Sequence, residues 1–198
     1  MAVKTRAIGL LAVLATTVLL SGCEAERQYR AGGPKHLRPI TSETYKLMAA
    51  KGMRASDPIL IRVFKKEKEL EMWKRDKTGK FALLRTYPIC AVGGTIGPKI
   101  KEGDKQSPEG FYTVTPAHMN PNSAYHLSFN LGFPNKFDAA YGRNGSHLMV
   151  HGACSSAGCF AMTDPLMEDI YALAREAFRG GQPSFQVQAF PFPMTGEN

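Results

Sequence analysis

The chain has 198 residues, 43% of them hydrophobic, and a formal net charge of +8. It shows no repeat and no low-complexity block, and its length suits one domain with a full-sized core. Much of the basic excess lies in Lys65-Lys66-Glu67-Lys68 and Lys74-Arg75-Asp76-Lys77, where both signs mix as on a solvated face, so the charge argues for acidic surroundings and against nucleic acid as a partner.

The N-terminus reads separately from the rest. Lys4 and Arg6 make a short basic start, and Ala7 to Leu20 carries no charge. That run is too short to span a bilayer comfortably and suits the apolar region of a signal peptide. It ends in Leu20-Ser21-Gly22-Cys23, which resembles the bacterial lipobox. Residues 1–22 are therefore expected to be a lipoprotein-type signal, with Cys23 lipidated; an ordinary signal cleaved near Ala25 is the alternative. The expected location is the periplasm, with the N-terminal lipid as the only membrane contact. No second apolar run reaches spanning length.

Residues 23–57 are expected to hold a tether and a short helix. Glu24 to Pro39 is charged and carries Gly32-Gly33-Pro34. Thr41 to Lys51 reads as helix, with Thr41 or Ser42 to cap it, Glu43 in its first turn and Gly52 after its end. Beyond Asp57-Pro58, alternation of Ile59, Ile61 and Val63 predicts a strand over 59–64. Leu70 to Trp73 reads as a second strand and Phe81 to Val92 as a third, with Thr78-Gly79 turning between them; the residue types of Lys65 to Lys74 also suit a helix. Gly93 to Pro98 is a loop, and Ser107-Pro108-Glu109-Gly110 turns into a strand over 111–115. The segment from Met119 to Tyr141, rich in Asn, Pro and aromatics, reads as loops around one strand, Tyr125 to Phe129.

Near the C-terminus one helix is well specified. Asp164 is placed as its cap, Pro165 as its first residue, and Gly180-Gly181 as its stop. Leu166, Ile170, Leu173, Ala174, Ala177 and Phe178 form its apolar stripe, which is core. Phe185, Val187 and Ala189 alternate in a last strand. The sum is a mainly β (α+β) domain with one main helix.

The chemistry is concentrated in His147-Leu-Met-Val-His151-Gly-Ala-Cys154-Ser-Ser-Ala-Gly-Cys159-Phe-Ala-Met-Thr-Asp164. A thiol nucleophile needs a base for its proton, small residues for access, and backbone amides facing an oxyanion. Cys159 precedes a helix start, where the dipole would favour a thiolate. His151 lies at the end of an apolar stretch, within reach of a returning loop. Ser156 and Gly158 would shape the site, Gly158 because no side chain shields the amides beside it.

Other readings of the same residues stand beside this one. His147, His151, Cys154 and Cys159 could bind zinc, with strand alternation placing both histidines on one side, but their spacing departs from the usual paired patterns. Cys154 could bond Cys159 across a tight loop, or bond Cys90 and leave Cys159 free; Cys90 could equally be a small buried residue. His147 alone suits a structural role. His118 and His126 have no obvious acid in the sequence and read as ordinary polar residues, and Lys99 and Lys105 as exposed lysines.

His151-Gly152, Ser156-Ala157-Gly158-Cys159 and Ala161-Met162-Thr163-Asp164 resemble the L,D-transpeptidase (YkuD-like) catalytic domain family, in its YafK-like branch. Phe64-Lys65-Lys66-Glu67, Tyr87-Pro88-Ile89-Cys90, Gly97-Pro98-Lys99, Ser107 to Tyr112 and Tyr125 to Asn130 extend the resemblance over residues 58–190, leaving 191–198 as a tail.

The resemblance implies an L,D-transpeptidase-like β-sandwich with Cys159 as nucleophile and His151 as base. It also implies peptidoglycan peptide stems or a wall-linked lipoprotein as substrate, and no metal or organic cofactor; the chain is expected to be a monomer. The reaction would be transpeptidation, or hydrolysis of a diaminopimelate-linked crosslink or lipoprotein link. Ala157 stands where the wider family has His, and Ala161 where it has Arg, which leaves the acceptor open. A non-catalytic cell-wall-binding lipoprotein is the alternative from another class.

Overall fold

The computed structural model describes residues 33–196; Cys23 and the signal segment lie outside the described residues. The first described residues are strapped to the rest. A 3₁₀ turn at Lys35–Leu37 leads to α1, Ser42–Ala50, whose cap is Thr41, its side chain accepting from the Thr44 N–H. The Arg175 guanidinium donates to the carbonyls of His36 and Arg38. So the last residues of the expected tether are held by side chains of the main helix.

Two mixed sheets form the body. The first contains β1 (Ile59–Phe64), β2 (Glu69–Arg75), β3 (Phe81–Pro88) and β5 (Gly110–Val114), with β10 (Phe185–Phe190), in the order β3-β2-β1-β10-β5. The second runs β4-β9-β8-β7-β6, from β4 (Ala91–Val92), β6 (Met119–Asn120), β7 (Ser128–Asn130), β8 (Met149–His151) and β9 (Phe160–Ala161). β1 and β10 are parallel, as are β8 and β9. The strand reading of residues 69–75 wins over the helical one because Leu70, Met72 and Lys74 bury one face of a hairpin while their neighbours stay outside.

The stretch expected as one strand over 81–92 is two, in different sheets. Pro88 lacks a ladder donor, and the Cys90 N–H turns to the Ala161 carbonyl in the second sheet. The strand expected at 125–129 shrinks to β7, because His126 adopts a left-handed backbone with φ 67°.

Two helices remain. α2, Lys136–Ala140, is capped by Asn135 and Asp138 in a reciprocal box. α3, Asp164–Arg179, starts one residue earlier than expected: Thr163 is the cap position and Asp164 the first helical residue. The Asp164 carboxylate accepts instead from the Ala153 N–H, across the chain. The buried face of α3 is wider than the predicted stripe and includes Met167, Tyr171 and Ala172, while Leu166 and Phe178 are only partly buried.

Asp169 is buried on the same helix. Its carboxylate is satisfied by the Thr44 and Tyr87 hydroxyls and the Thr41 N–H, which pins α1 and β3 to α3. Between the sheets, the rings of Phe129 and Phe185 meet edge to face at 5.6 Å. No helix among the described residues is long and apolar enough to cross a membrane.

Candidate active site

Sheet pairing brings the segments of the two principal residues side by side. Phe129, Val150 and Phe160 stand opposite one another on β7, β8 and β9, and all three are fully buried on the core side. Side chains alternate along a strand, so Ser128, His151 and Ala161 form a row on the other face. Cys159 immediately precedes β9, in a bend. Its place in the chain is two residues before Ala161, the register partner of His151 across the parallel β8–β9 pair.

His151 is 2% exposed. Its Nδ1 lies 2.5 Å from the Gly152 carbonyl oxygen. A carbonyl only accepts, so Nδ1 carries the proton and Nε2 keeps its lone pair. The ring of Tyr125 packs on the imidazole at 4.7 Å. Burial lowers the His151 pKa, opposed by the bond to Gly152, so the ring is neutral at neutral pH.

The turn after His151 is clamped from several sides. The Gly152 N–H donates to the carbonyls of Tyr125 and Leu127. Ala153 and Cys154 both take positive φ, 64° and 46°. That uncommon pair is held by Asp164 on the Ala153 N–H, by the Cys154 N–H on the Met162 carbonyl, and by a disulfide from Cys154 to Cys90 with Cα atoms 5.3 Å apart. Gly152 must be glycine: a Cβ there would lie 2.6 Å from Asp164 Oδ1 and 2.9 Å from His126 Cβ.

Of the three sequence readings of the cysteines, the structure contains the Cys90–Cys154 bond, with Cys159 free. That removes Cys154 both from a bond to Cys159 and from the four-ligand zinc set.

Cys159 is half-buried. Its thiol donates to the His147 carbonyl at 3.4 Å. Burial raises its pKa, and the Met149 N–H and the Lys99 charge oppose this without overcoming it. The thiolate stabilisation expected from the helix does not prevail, since Cys159 lies more than a turn before α3 and the dipole falls off within a turn. Lys99 itself is buried, not exposed as expected, and pairs with Asp104 at 2.6 Å.

The Cys159 backbone is fixed by two hydroxyls. Ser107 Oγ and Ser156 Oγ donate to its carbonyl at 2.9 and 2.7 Å. Ser156 Oγ also accepts from the Gly158 N–H, so that amide is engaged, and the Cys159 N–H is left as the candidate oxyanion donor. Behind Ser107 lies a buried lysine. Lys65 Nζ donates to the carbonyls of Ser107 and Gly97 and pairs with Glu109 at 3.0 Å, while Glu109 accepts from the Gly97 N–H. Burial lowers the Lys65 pKa, with Glu109 opposing. The separate motifs Phe64-Lys65, Gly97-Pro98-Lys99 and Ser107 to Gly110 thus converge behind the thiol.

The other histidines divide differently from expectation. His147 contributes its carbonyl, and it precedes β8 with φ 55°, so alternation with His151 does not apply. His118 Nδ1 accepts from the Thr115 N–H and closes a local turn. His126 does have acids: Nε2 lies 2.6 Å from Glu168 Oε1, and Nδ1 is 3.7 Å from Asp164 Oδ2. Those partners sit on α3, far along the chain, which is why the sequence hides them. Ser107, Tyr125 and Asp164 are the positioning residues that sequence reasoning did not single out for the site.

A family model for the YkuD L,D-transpeptidase catalytic domain matches residues 58–180. The chain is 44% identical over 142 residues to YafK of Escherichia coli strain K12, which carries a provisional L,D-transpeptidase name, and equally to its counterpart in strain O157:H7. The match covers 71% of this chain and 57% of the relative, so the chain spans little more than half the length of the curated relatives it matches.

Among solved structures, the K307A mutant of the helical cell shape determining protein Pgp2 from Campylobacter jejuni superposes with a TM-score of 0.54 at 20% identity, over 82% of this chain and 57% of that one. Bd1075 of Bdellovibrio bacteriovorus gives 0.50 at 20%, over 70% and 49%. At that identity the likeness concerns the fold. Fold, family model and relatives agree, and the chain belongs to the L,D-transpeptidase catalytic domain family.

Proposed function

We propose that the protein is a cysteine acyl-transfer enzyme acting on peptidoglycan peptide stems, with Cys159 as nucleophile and His151 as base. The observation that carries this reading is the parallel β8–β9 pair: His151 ends β8, and the free thiol of Cys159 belongs to the residue two positions before Ala161, the register partner of His151. Cys159 Sγ attacks a stem carbonyl carbon as His151 Nε2 takes the thiol proton. The tetrahedral oxyanion is met by the Cys159 N–H. The C–N bond breaks, the leaving amine takes the proton from His151, and a thioester remains. An amine or water then attacks the thioester, its proton passing through His151 to the sulfur.

Because the resting pair is thiol and neutral imidazole, proton transfer accompanies attack. Ala161, fully buried opposite His151, supplies no cation for a substrate carboxylate, so water, giving hydrolysis of a diaminopimelate-linked crosslink or lipoprotein link, stands beside an amine as acceptor. Export, lipidation at Cys23 and residence in the periplasm belong to the same proposal, supported by the N-terminal sequence. A role in cell shape, as in the name of the Campylobacter jejuni protein, is part of the same proposal.

The test is product analysis by mass spectrometry after incubation with crosslinked, uncrosslinked and lipoprotein-linked muropeptides. Native protein should convert at least one class and Cys159→Ala none. Identical profiles for the two would leave a wall-binding role instead.

A further inference from the structure

His126 holds a left-handed backbone, with φ 67°. A residue with a side chain keeps that conformation only where its surroundings enforce it. Two carboxylates of α3 do so here. His126 Nε2 lies 2.6 Å from Glu168 Oε1, and a carboxylate only accepts, so Nε2 donates. Nδ1 faces Asp164 Oδ2 at 3.7 Å. Arg38 Nη1 donates to the same Glu168 oxygen, and Arg175 holds the Arg38 carbonyl. The segment before α1 is thereby joined to the histidine.

The groups around His126 converge on one peptide unit, Gly152–Ala153. Its carbonyl accepts from His151 Nδ1, and its N–H donates to Asp164 Oδ1. The Gly152 N–H donates to the carbonyls of Tyr125 and Leu127, the residues on either side of His126. The His126 side chain also packs against Gly152, where a Cβ would lie 2.9 Å from the His126 Cβ. A peptide unit is planar, so holding its N–H aims its carbonyl.

We propose that His126 is a positioning residue for His151: clamped between Glu168 and Asp164, it fixes the plane of the Gly152–Ala153 peptide and so keeps the proton of the imidazole on Nδ1. Arg38 extends the clamp to the N-terminal segment. This rests on the reading of His151 as base. With the Gly152 carbonyl turned away, the neutral ring is free to carry its proton on Nε2, and a protonated Nε2 cannot take the thiol proton.

The experiment uses the whole protein with nitrogen-15 in its histidines. Nuclear magnetic resonance of the neutral ring, assigned against His151→Asn, reads the tautomer of His151. The nitrophenolate burst from 4-nitrophenyl acetate reads base-assisted acetylation of Cys159. Native protein should show the Nδ1–H form. In His126→Ala the ring should divide between its two tautomers, and the burst rate should fall by about tenfold. His126→Gln, whose amide nitrogen can still donate to Glu168, should recover most of both. Arg38→Met should cost about threefold, since that pair is partly exposed. Iodoacetamide at high pH attacks the thiolate and needs no base, so it should alkylate Cys159 at the same rate in every variant.

An unchanged His151 tautomer in His126→Ala overturns the proposal, whatever the rate does. So does a native burst rate in that variant, or a His126→Gln variant as slow as His126→Ala at an equal melting midpoint. Should His126→Ala fail to fold, Glu168→Ala is read in its place by the same criteria. A native protein whose Cys159 takes no acetyl group sinks the acyl-enzyme reading, and the tautomer alone then decides whether His126 holds the ring.

Discussion

The Ser107 hydroxyl donates to the Cys159 carbonyl at 2.9 Å while its oxygen accepts from the Gly93 N–H at 2.8 Å. One buried side chain thus ties the nucleophile's backbone to the loop after β4. Ser107→Ala removes one of the two donors on that carbonyl and leaves the Gly93 amide without its acceptor. A stability loss of about 1–3 kcal/mol follows from the unpaired buried amide. Activity should fall by about tenfold, the equivalent of about 1.4 kcal/mol of lost positioning. Urea unfolding and steady-state rates measured on the same preparation check both; unchanged kinetics would mean that Ser156 alone holds the carbonyl.

The Cys90–Cys154 bond closes a loop across 64 positions of sequence and anchors the turn that follows His151. On the chain-entropy account a loop of that size contributes about 4 kcal/mol. The double variant Cys90→Ala, Cys154→Ala should lose stability of that order. It should also lose activity at temperatures where it is still folded, because the left-handed Ala153-Cys154 turn is freed. Peptide mapping of the oxidised native protein should return Cys90 joined to Cys154 and Cys159 open to alkylation. A Cys154–Cys159 peptide would contradict the arrangement.

The protonation states give a pH dependence with a definite sign. The Cys159 pKa is raised, so the thiol stays neutral at neutral pH, and the iodoacetamide alkylation rate should keep climbing through pH 9. The His151 pKa is lowered, so the acid limb of kcat/KM should fall below the ordinary histidine value of about 6.5. An alkylation rate already level at pH 7 would indicate a thiolate–imidazolium pair instead.

Stability responds to pH at another group. Lys74 Nζ is buried beneath the Ala55 and Asp57 carbonyls, and burial lowers its pKa to about 8. The unfolded lysine binds its proton more tightly, so stability should rise as pH passes from about 8 toward 10. Lys74→Met should flatten that rise in urea midpoints measured across the range; a wild-type curve that falls there would refute the assignment.

Much of this architecture is legible in the sequence where periodicity is strong. Alternation in β1 and β10 and the apolar stripe of α3 reflect burial of one face, and burial leaves a pattern. The nearness of the segments that carry Cys159 and His151 is legible for a different reason: both lie in one short stretch, and a parallel β8–β9 pair brings its ends together. What the sequence hides is long-range or conformational. His126 carries no glycine-like signal for its φ of 67°, yet that conformation ends the predicted strand and presents Tyr125 to His151. The partners of His126 on α3 and of Ser107 at Cys159 are set by tertiary packing alone. In the sequence Asp164 reads as a helix cap because it precedes a proline, but its carboxylate accepts from the amide at Ala153.

Gly93 illustrates the same limit, and it carries the last prediction. Nothing in its neighbours marks it as more than part of a glycine-rich loop. In the fold, a Cβ on Gly93 would lie 2.5 Å from both the Cα and the N of Gly158 and 2.6 Å from the Lys105 carbonyl oxygen. All three are backbone atoms, so no side chain can swing aside to make room. Gly93→Ala must therefore push apart the loop after β4 and the segment leading into Cys159. The Gly93–Ser107 bonds would stretch with it, and with them the hydroxyl on the Cys159 carbonyl. The expected cost is about 1–3 kcal/mol of stability, the range of an overpacked site. Activity should fall further than Ser107→Ala alone, since both the nucleophile and its anchor move. The decisive measurement is a double-mutant cycle. If Gly93→Ala and Ser107→Ala act through the same displacement, their combined loss in kcat/KM should be well short of additive. Full additivity would mean that Gly93 affects the site by some other route.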